Sequence, residues 1–239
     1  MRGDDEFACG KGQMGAAVFD IEFAERHPPP TLRAGDLHLG PEREQGRRQI
    51  AGEGGMAAVQ IAAVAARAGI AAGTIYRYFP SKTDLIAELV AAVAGRELSA
   101  MAAAGDAAPG PLSALAGAIA TFAARALNER RLAWAMMGEP VDAQVDAMRL
   151  DFRQSLAAEL EARIKTAIEG RHLPEQDAGV AAPAIVGALM EGLLGPLAPP
   201  PADAAAARAA VQSATLLALR ALGVVDARAR GLVAQCVLP

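Results

Sequence analysis

The stretch AARAGIAAGTIYRYFPSK, residues 65–82, sets Tyr76, Tyr78 and Phe79 within four positions, in a chain with two tyrosines, six phenylalanines and one tryptophan. Gly73 precedes the cluster and Pro80 follows it, so the rings sit at a bend and not along an unbroken helix. Before it, Ile61, Val64, Ala65 and Ala68 recur at i, i+3, i+4 and i+7, one apolar face of a short helix that Gly69 stops. The next segment, from about Ala72 to Phe79, turns Ile75, Tyr78 and Phe79 inward. At about 100° per residue, Gly73 and Arg77 then point most directly away from Ile75, with Thr74 and Tyr76 on the flanks. After Pro80, Ser81 can cap a further helix with Asp84 as its capping-box partner and Lys82 in the first turn. Two short helices joined through a glycine, the second showing small, polar and basic groups, is the helix-turn-helix arrangement. The same spacing also describes a purely structural helical corner.

Charge distribution bears on that choice. The net charge of −4 argues weakly against a chain coated for nucleic acid, yet from Gly54 to Thr83 the only charges are Arg67, Arg77 and Lys82. An acid-free stretch carrying three cations is where a polyanion would land.

The rest of the chain reads as helix nearly throughout. With 239 residues, 53% of them hydrophobic, it can bury a real core. Alanine dominates, and no window sustains the period-two alternation of a strand. Breaks fall at Gly69, Pro80, residues 103–111, Gly138 to Pro140, Gly170 to Pro174 and residues 198–203, which predicts an all-α bundle. Met148, Phe152, Leu156, Leu160, Ile164 and Ile168 recur every four residues, with Glu159–Arg163 and Glu161–Lys165 as i,i+4 pairs. They mark one long helix from Asp142 to Glu169, roughly 40 Å at 1.5 Å per residue. Two later segments, Glu175 to Leu197 and Ala202 to Leu222, are so poor in charge that a second copy of the chain is a natural cover for them. Residues 1–42, with three prolines at 28–30, read as a tail, disordered or arising from a misassigned start.

Catalytic readings find little support. Gly52, Gly54 and Ala57 fit the loose dinucleotide fingerprint, but no strand precedes them. Phosphate-loop, zincin and nucleophile-elbow motifs are missing, and His27, His38 and His172 lie in unrelated contexts. Asp142 and Asp146 share a helix face that solvation explains better than metal binding, and Cys9 and Cys236 lack any metal-ligand spacing. The expectation is therefore no catalytic residue, no metal and no cofactor. With no secretory signal or membrane span in the sequence, it is also a cytoplasmic location.

A resemblance adds to this reading. Val64-Ala65, Ala68-Gly69-Ile70, Gly73-Thr74-Ile75-Tyr76, Phe79, Ser81-Lys82 and Leu85 follow one another, without gaps, in the order of the DNA-binding domain of the TetR/AcrR family of bacterial transcriptional regulators, and residues 55–89 resemble that domain. The resemblance implies an all-α protein: an N-terminal three-helix helix-turn-helix DNA-binding domain at 43–90, a larger helical effector-binding and dimerisation domain at 91–230, and a tail at 231–239. It places Gln60, Ala72, Gly73, Thr74, Tyr76, Arg77, Tyr78 and Lys82 in DNA-facing positions. It implies a homodimer, formed through the last two long helices, that represses at a pseudo-palindromic operator and responds to a small-molecule effector. Trp134, Met136, Met137, Met148, Phe152 and Met190 are the candidates for a largely apolar effector pocket, since Met and Trp give adaptable walls; plain core is the competing explanation for each. Arg130, Arg131 and Glu191 are further candidates for polar contacts to the effector.

The sequence departs from the family pattern in three places. Val59 and Ala71 stand where Ser or Thr would cap helices, and the first helix, GPEREQGRRQIAGEGG, offers only Ile50 and Ala51 as core. These departures favour an alternative: a helical small-molecule-binding dimer whose headpiece no longer binds DNA.

Overall fold

A computed structural model describes residues 41–237 except Ile70 and Asp142; for residues 41–44, 46, 67 and 68 it describes the backbone alone. Most of the expected N-terminal tail, with Cys9, His27 and His38, therefore lies outside the described residues.

All regular structure among the described residues is helical. The headpiece comprises α1 (Pro41–Ala58), α2 (Ile61–Ala68) and α3 (Ala72–Tyr76), and α4 (Lys82–Asp106) leads from it into the body. The body continues with α5 (Pro111–Asn128), α6 (Arg130–Met137), α7 (Ala143–Glu169), α8 (Ala178–Leu189), α9 (Ala204–Ala221) and α10 (Asp226–Gln235). Helix α4 runs unbroken through position 90, and α10 continues past residue 231.

Helix α5 is the centre of the body because it is apolar on every side. Leu112, Leu115, Ile119, Phe122 and its run of alanines are all buried, and α4, α7 and α9 pack around it. Helix α7 spans the domain, as its stripe predicts, and its Glu159–Arg163 and Glu161–Lys165 pairs close at 2.7 and 2.6 Å. The inward face is shifted, however: Met148 and Ile168 are only half-buried, whereas Val145, Arg149 and Ala167 join Phe152, Leu156, Leu160 and Ile164 in the interior. A strict four-residue repeat drifts around a helix of 3.6 residues per turn, so the ends of such a stripe rotate out of the core.

Helix α8 passes into a π-helical turn, Met190–Leu194. Arg130 braces this turn from α6, donating from Nε to Leu193 O and from Nη2 to Gly195 O and Ala198 O at 2.8–3.1 Å. Its guanidinium is thus occupied by backbone carbonyls, which counts against its candidacy as an effector contact. Arg131 and Glu191 are exposed.

The headpiece core is fuller than the sequence suggests. Arg47 is 3% exposed, with its guanidinium 5.6 Å from the centre of the Phe79 ring, and Met56 joins Ile50 and Ala51 in the interior. The cation closes the space under the bend by lying over an aromatic face, a role that a hydrophobic-pattern reading of α1 assigns to nothing. Near its end α1 kinks at Gly55, where φ is +73°, a conformation suited to glycine. A side chain there would also run into the Glu139 carboxylate.

Candidate nucleic-acid interface and effector cavity

The bend that opens the reading is built as a helix-turn-helix. Gly69 ends α2 in the left-handed region, φ +65° and ψ +28°, and α3 begins three residues later. Helix α3 stops at Tyr76, earlier than the expected Phe79. Pro80 explains the shortening, because the residue before a proline avoids helical backbone. The turn is completed by Tyr78 N–H and Phe79 N–H, both donating to Ile75 O at 2.9 and 2.8 Å. Ile75 and Phe79 point into the core, 2% and 5% exposed.

The outer side carries the expected groups. Gly73, Tyr76 and Arg77 are exposed, and Ala72, Thr74, Tyr78 and Lys82 are half-buried. Nothing in the chain lies within 4 Å of where a Cβ on Gly73 would be, so its own packing does not demand a glycine there. Arg77 and Lys82 form no ion pair with a described residue. Gln60 is the N-cap residue of α2, and its side chain, making no cap bond, donates from Nε2 back to Ala57 O at 2.9 Å. Val59 therefore does not occupy the cap; it is fully buried just before it. Ala71 is the N-cap of α3 and supplies no side-chain bond, as expected. The start of α4 is a complete capping box: Ser81 Oγ accepts from Asp84 N–H at 3.2 Å, and Asp84 Oδ2 accepts from Ser81 N–H at 3.0 Å.

The headpiece is fastened to the body at two points. Arg48 of α1 pairs with Glu129 between α5 and α6. Beyond the kink, Met56 N–H donates to Glu139 Oε2 at 2.9 Å. Between α1 and the α5–α6 junction lies an open, polar cleft of about 440 Å³. Arg130 and Arg131, two of the candidate polar contacts, line it, but none of the six expected apolar pocket residues does.

A second, more enclosed cavity lies between α4, α5, α6 and α7, with about 340 Å³ not filled by atoms, counting its opening to solvent. Met136, Met137 and Phe152, three of the six expected pocket residues, line it together with Val93, Phe122 and Leu132. Trp134, Met148 and Met190 are not among its lining residues. All three are half-buried, and the Trp134 ring packs against Gly138. Sequence reading missed the polar edge of the cavity, formed by Arg96, Glu97 and Arg125. Arg125 holds Glu97 through Nε at 2.6 Å and Nη2 at 2.9 Å, which raises the arginine's pKa above its ordinary value. The available signal was a lone cation within the otherwise apolar α5. Among the described residues no group of three or more His, Cys, Asp or Glu side chains could hold a metal, and no helix is long and apolar enough to cross a membrane.

Comparison with known proteins agrees with this architecture. Residues 47–89 match the model for bacterial regulatory proteins of the tetR family. The chain is 48% identical over 117 residues to the HTH-type transcriptional repressor KstR of Mycobacterium tuberculosis, covering 44% of this chain and 49% of that protein. It is 43% identical over 67 residues to KstR of Rhodococcus jostii, covering 26% of this chain and 32% of the relative. The chain thus spans half the length or less of these curated relatives. Among solved structures, the fatty acid degradation regulator FadR of Bacillus halodurans superposes with a TM-score of 0.66 at 21% identity, covering 78% of this chain and 98% of that one. RolR in complex with resorcinol gives 0.57 at 20% identity, covering 87% and 98%. FadR of Bacillus subtilis in complex with stearoyl-CoA gives 0.58 at 17% identity, covering 81% and 95%. These likenesses establish a shared fold. The headpiece, over residues 47–89, thus matches the model of the tetR family of bacterial regulatory proteins, and the helical body behind it shares the fold of these solved structures.

Proposed function

We propose that the chain is a ligand-responsive transcriptional repressor that binds a pseudo-palindromic operator as a homodimer in the cytoplasm. The single observation that carries this reading is the outer face of α3 and its following turn, where Gly73, Tyr76 and Arg77 are exposed and no acidic group intervenes before Asp84. Arg77 and Thr74 are assigned to base edges in the major groove, Ala72 and Gly73 to close approach of the backbone, and Gln60, Tyr76, Tyr78 and Lys82 to phosphates. Gln60 retains one amide hydrogen and its carbonyl oxygen for this after bonding Ala57. Helices α8 and α9 are assigned to the dimer interface, supported by the exposure of Val180 and Leu217, 65% and 59%. The DNA-binding domain is assigned to 43–90 and the effector and dimerisation domain to 91–230.

The effector is assigned to the cavity at Met136, Met137 and Phe152, whose apolar walls suit a largely apolar molecule. Room for the centre of a water-sized molecule amounts to only about 30 Å³, so an effector must part these side chains, and methionine yields readily. An effector that prefers a dimer with displaced headpieces would release DNA by population shift. The reading of a headpiece that has lost DNA binding rests on a deficient first helix and on missing caps; Arg47 and Met56 supply core to that helix, while the starts of α2 and α3 carry no side-chain cap. The test is a gel shift with DNA from beside the chain's own gene: one fragment should bind in preference to random duplex at low salt, and equal binding to both would overturn the assignment.

A further inference from the structure

Arg149 is the most deeply buried arginine of the body among the described residues, and the fold satisfies only part of its guanidinium. It lies on the inner face of α7, is 1% exposed, and uses a single nitrogen, Nη1, to donate to Glu139 O. Its Nε and Nη2 are buried with no hydrogen-bond partner among the described residues. Burial lowers its pKa, against weaker upward pulls from the carboxylates of Asp146 and Glu139, neither of which hydrogen-bonds to it; Arg153, one turn on, adds a like charge. Nε and Nη2 form the edge with which Arg125 grips both oxygens of Glu97 and with which Arg130 grips three carbonyls. In Arg149 that edge is buried and bonds no acceptor among the described residues. A desolvated guanidinium with two parallel donors left over matches a planar, two-oxygen anion.

Its position is also informative. Phe152, one turn along α7 on the same face, and Met137, two residues before Glu139, both line the enclosed cavity. Arg149 itself does not line that cavity; it lies behind its wall, one helical turn from Phe152. We propose that the effector is an amphipathic carboxylate: its apolar body lies against Met136, Met137 and Phe152, and its carboxylate accepts two hydrogen bonds from the Nε–Nη2 edge of Arg149. This deepens the effector assignment above and rests on it. The route to the headpiece follows from the same contacts. Arg149 holds the Glu139 carbonyl, and the Glu139 carboxylate holds Met56 N–H at the kink just before α2. A carboxylate drawn onto Arg149 thus acts directly on the loop that anchors the headpiece.

The experiment titrates straight-chain, aryl and fused-ring carboxylic acids, each beside its matched primary alcohol, into the full chain, with Trp134, its only tryptophan, as the fluorescent reporter. At least one acid should bind roughly tenfold or more tightly than its alcohol, the discrimination expected of a charge-assisted pair in a dry site. That ratio should fall to near one in Arg149→Met, and Arg149→Lys should keep part of it. Alcohols binding as well as acids in the wild-type chain, no acid binding, or a ratio that survives in Arg149→Met would each overturn the proposal. Binding of ligand-free protein to its promoter fragment is measured on the same samples. Intact DNA binding without acid preference sinks this proposal and leaves the repressor reading standing; acid preference without DNA binding does the reverse.

Discussion

The headpiece and the body use their cations in opposite ways. In the body, Arg125, Arg130 and Arg163 are all bound within the fold: Arg125 to Glu97, Arg130 to three carbonyls, and Arg163 to Glu159, Asp106 and Ala102 O at the end of α4. On the recognition side of the headpiece, Arg77 and Lys82 pair with no described residue. A cation locked in a well-formed network contributes to stability, whereas one held out in water contributes almost nothing to it and is available for a partner. The contrast supports the proposed partner surface on the headpiece. Within the headpiece Arg47 behaves like a body arginine, and within the body Arg149 behaves like neither.

Substitutions test this division, and the largest effect should come from the body. Arg130→Ala strands three carbonyls beside the π turn and should destabilise the chain by about 3 kcal/mol in a urea melt, with little direct effect on DNA affinity. A loss below the measurement error would remove Arg130 from the brace. Arg77→Ala should do the converse: about 1 to 3 kcal/mol of operator affinity and some sequence preference disappear, while the melt stays within about 0.5 kcal/mol of wild type. An unchanged binding curve would take Arg77 off the interface.

Lys82→Ala sharpens the distinction between positioning and reading. Its expected signature is equal weakening on all DNA sequences and a salt dependence flatter by about one unit, seen by repeating the gel shift over a range of salt. A selective loss on the operator alone would make Lys82 a base reader.

The smallest effect is expected at Asp226, which Arg230 and Arg220 hold below its ordinary pKa. A depressed carboxylate contributes stability above its unfolded pKa, near 4, and loses that contribution as pH falls through the lower folded value. Acid melts of Asp226→Asn should therefore show a slightly shallower loss of stability below about pH 4 than wild type, with the two indistinguishable in DNA binding. A difference that grows above neutral pH would contradict the assignment.

How much could be read in advance depended on the range of the forces involved. The bend, the glycine stop, the capping box and the outward set of Gly73, Tyr76 and Arg77 were all legible, because caps, prolines and helical periodicity act within a few residues. The all-α body and its long spanning helix were equally legible from composition and stripe. The cavity was half legible: Met136, Met137 and Phe152 were named, but Trp134, Met148 and Met190 turn elsewhere, since residues on one helix reach one cavity only if rotation and neighbours agree. Arg96, Glu97 and Arg125 were invisible because they meet across helices.

The sequence by itself determined where the chain bends and which groups face out of the bend, since those depend on local backbone preference and on a period that any helix imposes. Only the tertiary structure decided that Arg47 lies over Phe79, that Arg130 braces a π turn 63 residues away, and that Arg149 is buried with two donors that bond no acceptor among the described residues. A charged side chain in a sequence looks like surface; whether it is surface, brace or receptor depends on desolvation, which exists only once helices distant in sequence have closed around it.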